Sequence, residues 1–496
     1  MASPWPLHHN SLAVKILFSL TPLPAHPLTR LRPLILPLLL LLTNSTPAQS
    51  PITVTLDSKP GPSIPDDFAG LSFEMEKVLP DTNGGYYFSP TNKPLITLFQ
   101  TLGIRSLRVG GNTADRPTVK VPAEPDIDSL FAFAKAANAK VIYTLRLREG
   151  NMTQAVNIAK FIMQHYRDSL SCLAIGNEPN VFAKEYPVYR DEWKKYVDAI
   201  TAPGTAPDAK FCGPSATPGK ASWARDFISD FGKSGKIAFV SQHDYPGGAG
   251  NKATNVVAAR DKMLSAAWLK NYEKLYASFA TDALSNGLPY RLEEANNFYN
   301  GGAKDVSDTF AAALWGLDYL HWWAAHQAAG LNFHTGDQVA AGEKNNPCRY
   351  ASFWTSPNGY NVHPIGYGIK AFDLGGHGRS ADTQLRNPAN LNLTAYCVVA
   401  KDNTSFVTLL NKEHDAGARE ALVTIVPPQP CHKAEVAFLS VPNRDVSATT
   451  GVTLGGAPIT DDGNWKGIWD RLPPLSNGEV TLKLPPASAA ILRLHQ

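Results

Sequence analysis

The chain has 496 residues, 44% hydrophobic and 18% charged, an ordinary globular composition and more than one compact core usually absorbs, so two domains are the default expectation. Its 46 Lys plus Arg against 43 Asp plus Glu give a net charge of +3. With no basic block or arginine-rich arm, this excludes nucleic-acid binding driven by charge.

Residues 1–48 contain Lys15, Arg30 and Arg32 but no acid. Residues 34–42 form an apolar run with one proline, followed by the small-x-small triplet Thr46-Pro47-Ala48. This is the pattern of a signal peptide, although the stretch before Arg30 is longer than a usual n-region. Removing it leaves 43 basic and 43 acidic residues, a neutral mature chain. The run falls short of the roughly 20 residues a membrane span needs, so a soluble, secreted protein without a membrane span is expected. Sequons at Asn151, Asn392 and Asn403 fit that route.

Residues 51–56 alternate apolar and polar side chains, as a half-buried strand does. From about 68 to 336, short β-rich runs then alternate with amphipathic stretches, the pattern of β/α units around a parallel sheet. Eight strands are expected, at 70–75, 106–111, 140–147, 172–178, 210–214, 237–245, 291–296 and 331–335. The clearest helical periods lie at 127–137, 153–166, 255–278 and 307–328. Eight units in about 270 residues match a (β/α)8 TIM barrel, and no GxGxxG follows the first strand to favour an open dinucleotide-binding sheet.

After about residue 380 the chain turns to short alternating runs at 395–400, 405–410, 421–426, 435–441 and 489–494, separated by Pro, Gly, Asn and Asp. These predict a β-sandwich, which the 51–56 strand would join. The expected organisation is a signal peptide (1–48), an N-terminal strand of the sandwich (49–67), a catalytic barrel (68–378) and a β-sandwich domain (379–496).

The fourth barrel strand runs into Asn177-Glu178-Pro179 and the seventh into Glu293-Glu294-Ala295-Asn296-Asn297. Barrel active sites assemble at the carboxyl ends of the strands, and strands four and seven face one another, so two carboxylates can meet over the mouth. Glycosidic bond cleavage needs that arrangement, with one group protonating the leaving oxygen and the other attacking the anomeric carbon. Strand alternation sends Glu293 and Glu294 to opposite faces. An outward Glu293 would pair with Arg291 on the same face, which favours Glu294 inside. Arg108, at the end of strand two, is costly in a barrel mouth unless paired; it either braces Glu294 or a neighbour, or serves the fold alone.

Trp315, Trp322 and Trp323 lie on a helical period and read as core. Cys172, Cys212, Cys348, Cys397 and Cys431 lack CxxC or Cys/His spacing, and His243, His334 and His363 lack ligand spacing, so neither a metal nor a cofactor is expected. The odd cysteine count leaves at least one thiol unpaired within the chain.

Gly70-Leu-Ser-Phe-Glu, Leu107-Arg-Val-Gly-Gly-Asn, Ile175-Gly-Asn-Glu-Pro-Asn, Gln242-His-Asp-Tyr and Glu294-Ala-Asn-Asn-Phe-Tyr-Asn-Gly-Gly resemble glycoside hydrolase family 79, the β-glucuronidases and heparanase, across most of the mature chain. Asn-Glu-Pro marks only the wider barrel clan; the pair Gly301-Gly302 is more particular to this family. The resemblance implies a retaining hydrolase with Glu178 as acid/base and Glu294 as nucleophile. It makes Asn177 the partner of the sugar 2-hydroxyl, Tyr245 the orienter of the nucleophile and Glu74 a sugar-hydroxyl acceptor. Tyr299 falls where the family's β-glucuronidases place a tyrosine near the substrate carboxylate, unless it is only an aromatic packed in a loop. Tyr350, in a segment that does not align cleanly, is a second candidate for that carboxylate.

The expectation is an exo-β-glucuronidase releasing terminal glucuronic acid or its 4-O-methyl form from glycans, with no obligate protein partner. The alternatives are an endo-β-glucuronidase of heparanase type, which the neutral chain disfavours because such enzymes grip sulfated chains through basic clusters, and a non-catalytic carbohydrate-binding protein on the same fold.

Overall fold

The computed structural model describes residues 51–338 and 347–496; the signal-peptide reading and residues 339–346 of the loop after the last barrel strand lie outside them. The barrel is closed and all-parallel. Its strands in order are β2 (Ala69–Glu74), β3 (Ser106–Gly110), β4 (Lys140–Leu145), β5 (Leu170–Ile175), β6 (Phe211–Ala216), β7 (Ile237–Asp244), β8 (Tyr290–Ala295) and β9 (Leu331–His334), with β9 hydrogen-bonded back to β2. All eight expected strands are present. The preceding strand, β1 (Ile52–Ser63), belongs to the second sheet.

The barrel strands are buried along nearly their whole length, as parallel strands covered by helices must be. Helices Glu124–Ala137 and Met152–His165 realise two of the expected periods; in the second, the Asn151 side chain caps the first turn by accepting from the Gln154 amide at 3.0 Å. The long period expected at 255–278 is broken into the short helices Val256–Leu264, Leu269–Leu275 and Thr281–Ser285, the last two joined through a π-turn. Helix Phe310–Ala325 is buried on every face, because it lies between the barrel and helix Pro364–Gly375. Its Trp315, Trp322 and Trp323 are core residues, as expected.

A two-stranded ribbon follows the barrel, β10 (Phe353–Ser356) with β11 (Gly359–Val362). The second domain contains β12 (Arg379–Arg386), β13 (Leu393–Val399), β14 (Ser405–Asn411), β15 (Ala421–Val426), β16 (Lys433–Ser440), β17 (Thr453–Leu454), β18 (Asp470–Leu472), β19 (Val480–Leu484) and β20 (Ser488–His495). These strands and β1 form one hydrogen-bonded path rather than two separate sheets, running β17-β16-β20-β14-β13-β12-β1-β15-β19 with β18 beside β16. The sheet curls over a single core that includes Val54, Val407, Val423, Val436, Leu482 and Leu492, so the layers of the sandwich are arms of one sheet. β1 pairs antiparallel with β12 and parallel with β15, which places both chain ends of the described fold in this domain.

Barrel and sheet are joined by a saturated polar contact. Asp318, on the buried helix, pairs with Lys412 at 2.8 Å and accepts hydrogen bonds from Thr394 at 2.8 Å and Tyr396 at 2.7 Å. No helix among the described residues is long and apolar enough to cross a membrane.

Candidate active site

The barrel interior is layered. Near the floor the buried Arg291 bonds Asn332 at 2.8 Å and the carbonyls of Asp67 and Ala329 at 2.8 and 3.0 Å. Above it lies a small apolar layer of Ile142, Cys172, Ala174, Cys212 and Phe239. Charged groups fill the mouth.

Glu178 lies three residues past the end of β5, in a left-handed conformation (φ 45), and its amide donates to the Ser215 carbonyl at 3.1 Å. Glu294 lies on β8 across the barrel. One carboxylate oxygen of each lies within 4.8 Å of the other and of the His243 ring. Around Glu294, Tyr245 donates its hydroxyl at 2.8 Å and Arg108 forms a close ion pair. The same guanidinium donates to Asn177 Oδ1 at 2.7 Å and to Ser72 at 3.0 Å. Arg108 therefore ties the nucleophile candidate to the residue beside the acid/base candidate. Behind it, the Asp115 carboxylate accepts from the amides of Asn177, Leu147 and Arg148 at 2.6, 2.7 and 2.9 Å, joining the ends of β4 and β5.

Glu293 is not where the sequence put it. Alternation sends it outside to pair with Arg291; in the fold it is fully buried, points into the barrel and lies 3.7 Å from His243 Nε2, with the Cys212 thiol 3.3 Å away. The reason is a β-bulge. Against β7 the register steps from Gln242↔Leu292 directly to His243↔Glu294, and against β9 from Leu292↔Leu331 to Ala295↔Phe333, so β8 carries one residue more than either neighbour. A bulge suspends strict alternation, and both glutamates enter the barrel while Leu292 and Ala295 remain in the outer core.

His243 is the residue that sequence reasoning passed over. Its Nδ1 lies 3.1 Å from Glu178 and 3.7 Å from Glu294, and its Nε2 faces Glu293. Burial alone would make the ring less basic, but the Glu294 charge, the hydrogen bond to Glu178 and the facing Glu293 carboxylate outweigh it and push the ring up to about 9. His334 plays a similar part on the other side, with Nδ1 3.0 Å from Ser72 Oγ and 3.8 Å from Glu294, and Nε2 3.5 Å from Glu74. The two histidines converge on carboxylates as charge partners. Burial would likewise raise the Glu294 carboxyl, yet His334, His243 and Arg108 together with the Tyr245 hydroxyl hold it well below the ordinary carboxylate range. A repeated His-next-to-Glu spacing in sequence could not have signalled this, since the partners come from four strands and one loop.

Glu74 ends β2, but its carboxylate receives the Asn112 amide at 3.2 Å and the Thr113 amide and hydroxyl at 2.7 and 2.6 Å. Gly111 (φ 63) makes this possible, since a Cβ there would meet the Glu74 carboxyl carbon at 2.5 Å. Tyr299 is 43% exposed and sets its ring edge-on to Tyr245, centroids 6.2 Å apart. Tyr350 is buried, 6.2 Å from Tyr245 and 5.9 Å from His334 by ring centroids. It is held there by Asn296, whose amide donates to the carbonyls of Tyr350 and His334 at 3.1 and 3.0 Å. Gly302 (φ 89) passes against the Tyr350 amide so closely that a Cβ would sit 2.9 Å from it. The glycine pair thus lets the loops after β8 and β9 meet. Arg349, the cation next to Tyr350, pairs with Asp308 at 3.4 Å.

All five cysteines are free and buried. His363 is also buried and packs on Trp354, away from these carboxylates. On the outer seam, His414 Nε2 pairs with Asp261 at 3.0 Å.

Residues 151–321 match the family model described as glycosyl hydrolase family 79, N-terminal domain. A β-glucuronidase of Aspergillus niger is 26% identical over 336 residues, 55% of this chain and 60% of that protein's length. Among solved structures, a 4-O-α-L-rhamnosyl-β-D-glucuronidase from Fusarium oxysporum 12S superposes with a TM-score of 0.67 at 18% identity, covering 88% of this chain and 99% of that one. A GH51 arabinofuranosidase from Xanthomonas axonopodis pv. citri gives 0.64 at 14% identity, covering 90% and 100%. These two share the barrel-and-sheet fold. The family match takes in β5 to β8 and the elements between them, with Glu178 and Glu294 both inside it: over this stretch the chain is similar to glycoside hydrolase family 79.

Proposed function

We propose that this protein is a secreted, retaining exo-β-glucuronidase that releases terminal glucuronic acid, or its 4-O-methyl form, from glycans. The observation that carries the reading is the approach of Glu178 and Glu294 to within 4.8 Å, oxygen to oxygen. Retaining enzymes set their carboxyl groups about 5 to 5.5 Å apart, whereas inverting enzymes leave about 6.5 to 9.5 Å for a water molecule.

In this reading Glu178, the more exposed of the pair, protonates the glycosidic oxygen as Glu294 attacks the anomeric carbon. Glu178 then takes a proton from the water that hydrolyses the glycosyl-enzyme. Arg108, His243 and His334 keep Glu294 ionised while Tyr245 fixes one of its oxygens, and Asn177 faces the sugar 2-hydroxyl. The substrate carboxylate is read by neutral donors such as Tyr299 and Tyr350, because Arg349 beside them is already paired with Asp308. The named activity of the Aspergillus niger relative supports the glucuronide, and the neutral mature chain supports exo over endo action. Secretion rests on the 1–48 pattern; Asn151 and Asn403 are exposed, as glycosylated sequons would be.

The test is hydrolysis of a set of aryl β-glycosides. The proposal expects the glucuronide to be cleaved far faster than the glucoside or the arabinofuranoside. Preference for either neutral sugar would overturn it.

A further inference from the structure

The β8 bulge places a third glutamate beneath the two assigned to catalysis, at a cost to the fold. Glu293 is fully buried, and burying a carboxylate costs several kcal/mol unless it is paired and hydrogen-bonded. Among the described residues its ion-pair partner is the His243 ring, 3.7 Å away, and its other partners are the Cys212 thiol at 3.3 Å and the Ser215 hydroxyl. Among the described residues no lysine or arginine lies within ion-pair distance of it, and Arg108 acts on it only from further away. Arg108 is bound to Glu294 and Asn177, and Arg291, lower on the same strand, is bound to Asn332 and to carbonyls. A neutral side chain of the same volume would suit this position better if packing were its task.

The ring beside it explains the choice. A neutral imidazole carries one N–H and no charge, but His243 has carboxylates facing both nitrogens: Glu178 at 3.1 Å and Glu294 at 3.7 Å from Nδ1, and Glu293 at 3.7 Å from Nε2. Only the imidazolium turns an N–H and a positive charge toward both sides. Remove the carboxylate below and only Glu178 and Glu294 are left to hold the ring protonated, with no charge facing Nε2. Behind these groups, His334 and Glu74 lie across the mouth, and the Tyr189 hydroxyl lies against Gly213 of β6; none of these pairs with Nε2.

We propose that Glu293 is a positioning residue for the reaction: from the extra position of the β8 bulge its carboxylate, facing Nε2 at 3.7 Å, holds His243 as the charged imidazolium, and that ring steadies Glu178 and Glu294 at working separation. Burial is outweighed at Glu293 by His243 and Arg108, which keep its carboxyl below the usual range, in line with that geometry. The proposal rests on the assignment of Glu178 and Glu294 as the reacting pair.

The experiment compares the full-length wild-type chain with Glu293→Gln and Glu293→Asp, by pH-dependent kinetics on an aryl β-glucuronide and by 15N NMR of the histidine rings, with His243→Gln to assign the signal. Glu293→Gln should keep KM within about threefold and lower kcat by about tenfold or more. Both limbs of its kcat/KM profile should move by at least about half a pH unit to lower pH: the acid limb because a buried negative charge is gone, the alkaline limb because the ring now loses its proton there. Glu293→Asp, which keeps the charge, should recover part of kcat and leave the limbs in place. The His243 ring should stay protonated to higher pH in the wild type than in Glu293→Gln. An unchanged profile with kcat within about twofold, or the same ring titration in both proteins, would overturn the proposal; should Glu293→Gln not fold, a Glu293→Asp profile displaced like that of a neutral side chain would do the same. If the wild type cleaves no aryl β-glucuronide, the assigned activity has failed, and the ring titration alone then decides the role of Glu293.

Discussion

Two sets of buried charge, one at the seam between barrel and sheet and one at the barrel mouth, are built on opposite terms. At the seam one carboxylate meets one ammonium and two hydroxyls: Asp318 with Lys412, Thr394 and Tyr396. At the mouth, Glu74, Glu178, Glu293 and Glu294 share Arg108 and two histidines, while Arg108 Nε, His243 Nε2 and Glu293 Oε1 remain without a hydrogen bond. A saturated pair holds a fold together; a crowd of carboxylates with unspent donors holds potential for chemistry. The contrast predicts that substitutions at the two places fail differently.

The largest expected effect is at the mouth. Glu294→Gln should lower kcat by on the order of 10⁴-fold or more while the protein stays folded, since it removes the proposed nucleophile and keeps its shape. Glu178→Ala should spare leaving groups that need no proton, and azide should partly restore its activity. At the seam, Asp318→Ala should do the reverse. Leaving Lys412 buried and unpaired should cost about 3–5 kcal/mol in denaturant unfolding, with kcat per folded molecule unchanged. Loss of kcat without loss of stability in Asp318→Ala would break the distinction.

A smaller effect sharpens the reading of the mouth. Tyr299→Phe would remove the hydrogen bond proposed to the substrate carboxylate, worth about 1.5–3 kcal/mol for a charged group, so kcat/KM on an aryl glucuronide should fall roughly 10- to 150-fold. On the matching glucoside it should hardly change. Equal losses would make Tyr299 a packing residue and leave Tyr350 as the position to test.

The smallest is in stability against pH. His243 is raised above its unfolded value of 6.5 to about 9, so its contribution is complete below pH 6.5 and is lost as pH climbs through about 9. Glu294 and Glu293 are depressed from 4.5, so theirs is present above that value and lost on acidification. Unfolding free energy should therefore decline on both sides of about pH 4.5 to 6.5, and His243→Gln should flatten the alkaline side. An alkaline decline that is the same in this variant would contradict the placement of the ring.

Much of this was legible in the sequence. Period-two and helical runs gave eight β/α units, and Glu178 and Glu294 could be placed at facing strand ends because the strand count alone fixes which strands oppose each other. The bulge could not be read. One extra residue in Arg291-Leu-Glu-Glu-Ala leaves the apolar pattern intact, and strict alternation then sends Glu293 to the wrong side. His243 has no ligand spacing in sequence, and its partners, spread over residues 178 to 294, meet only when β5, β7 and β8 are in register. Glu74 matched a family position, but its ties to Thr113 depend on the turn at Gly111. The curl that makes one sheet of ten strands was hidden because β1 pairs with strands more than 300 residues away, which no local pattern records.

The account stands most directly on the pairing of Glu178 with Glu294 as a retaining couple. NMR of the first sugar released from an aryl β-glucuronide, read before mutarotation, decides it. The account predicts the β-anomer as the first product; an α-anomer formed first would contradict it.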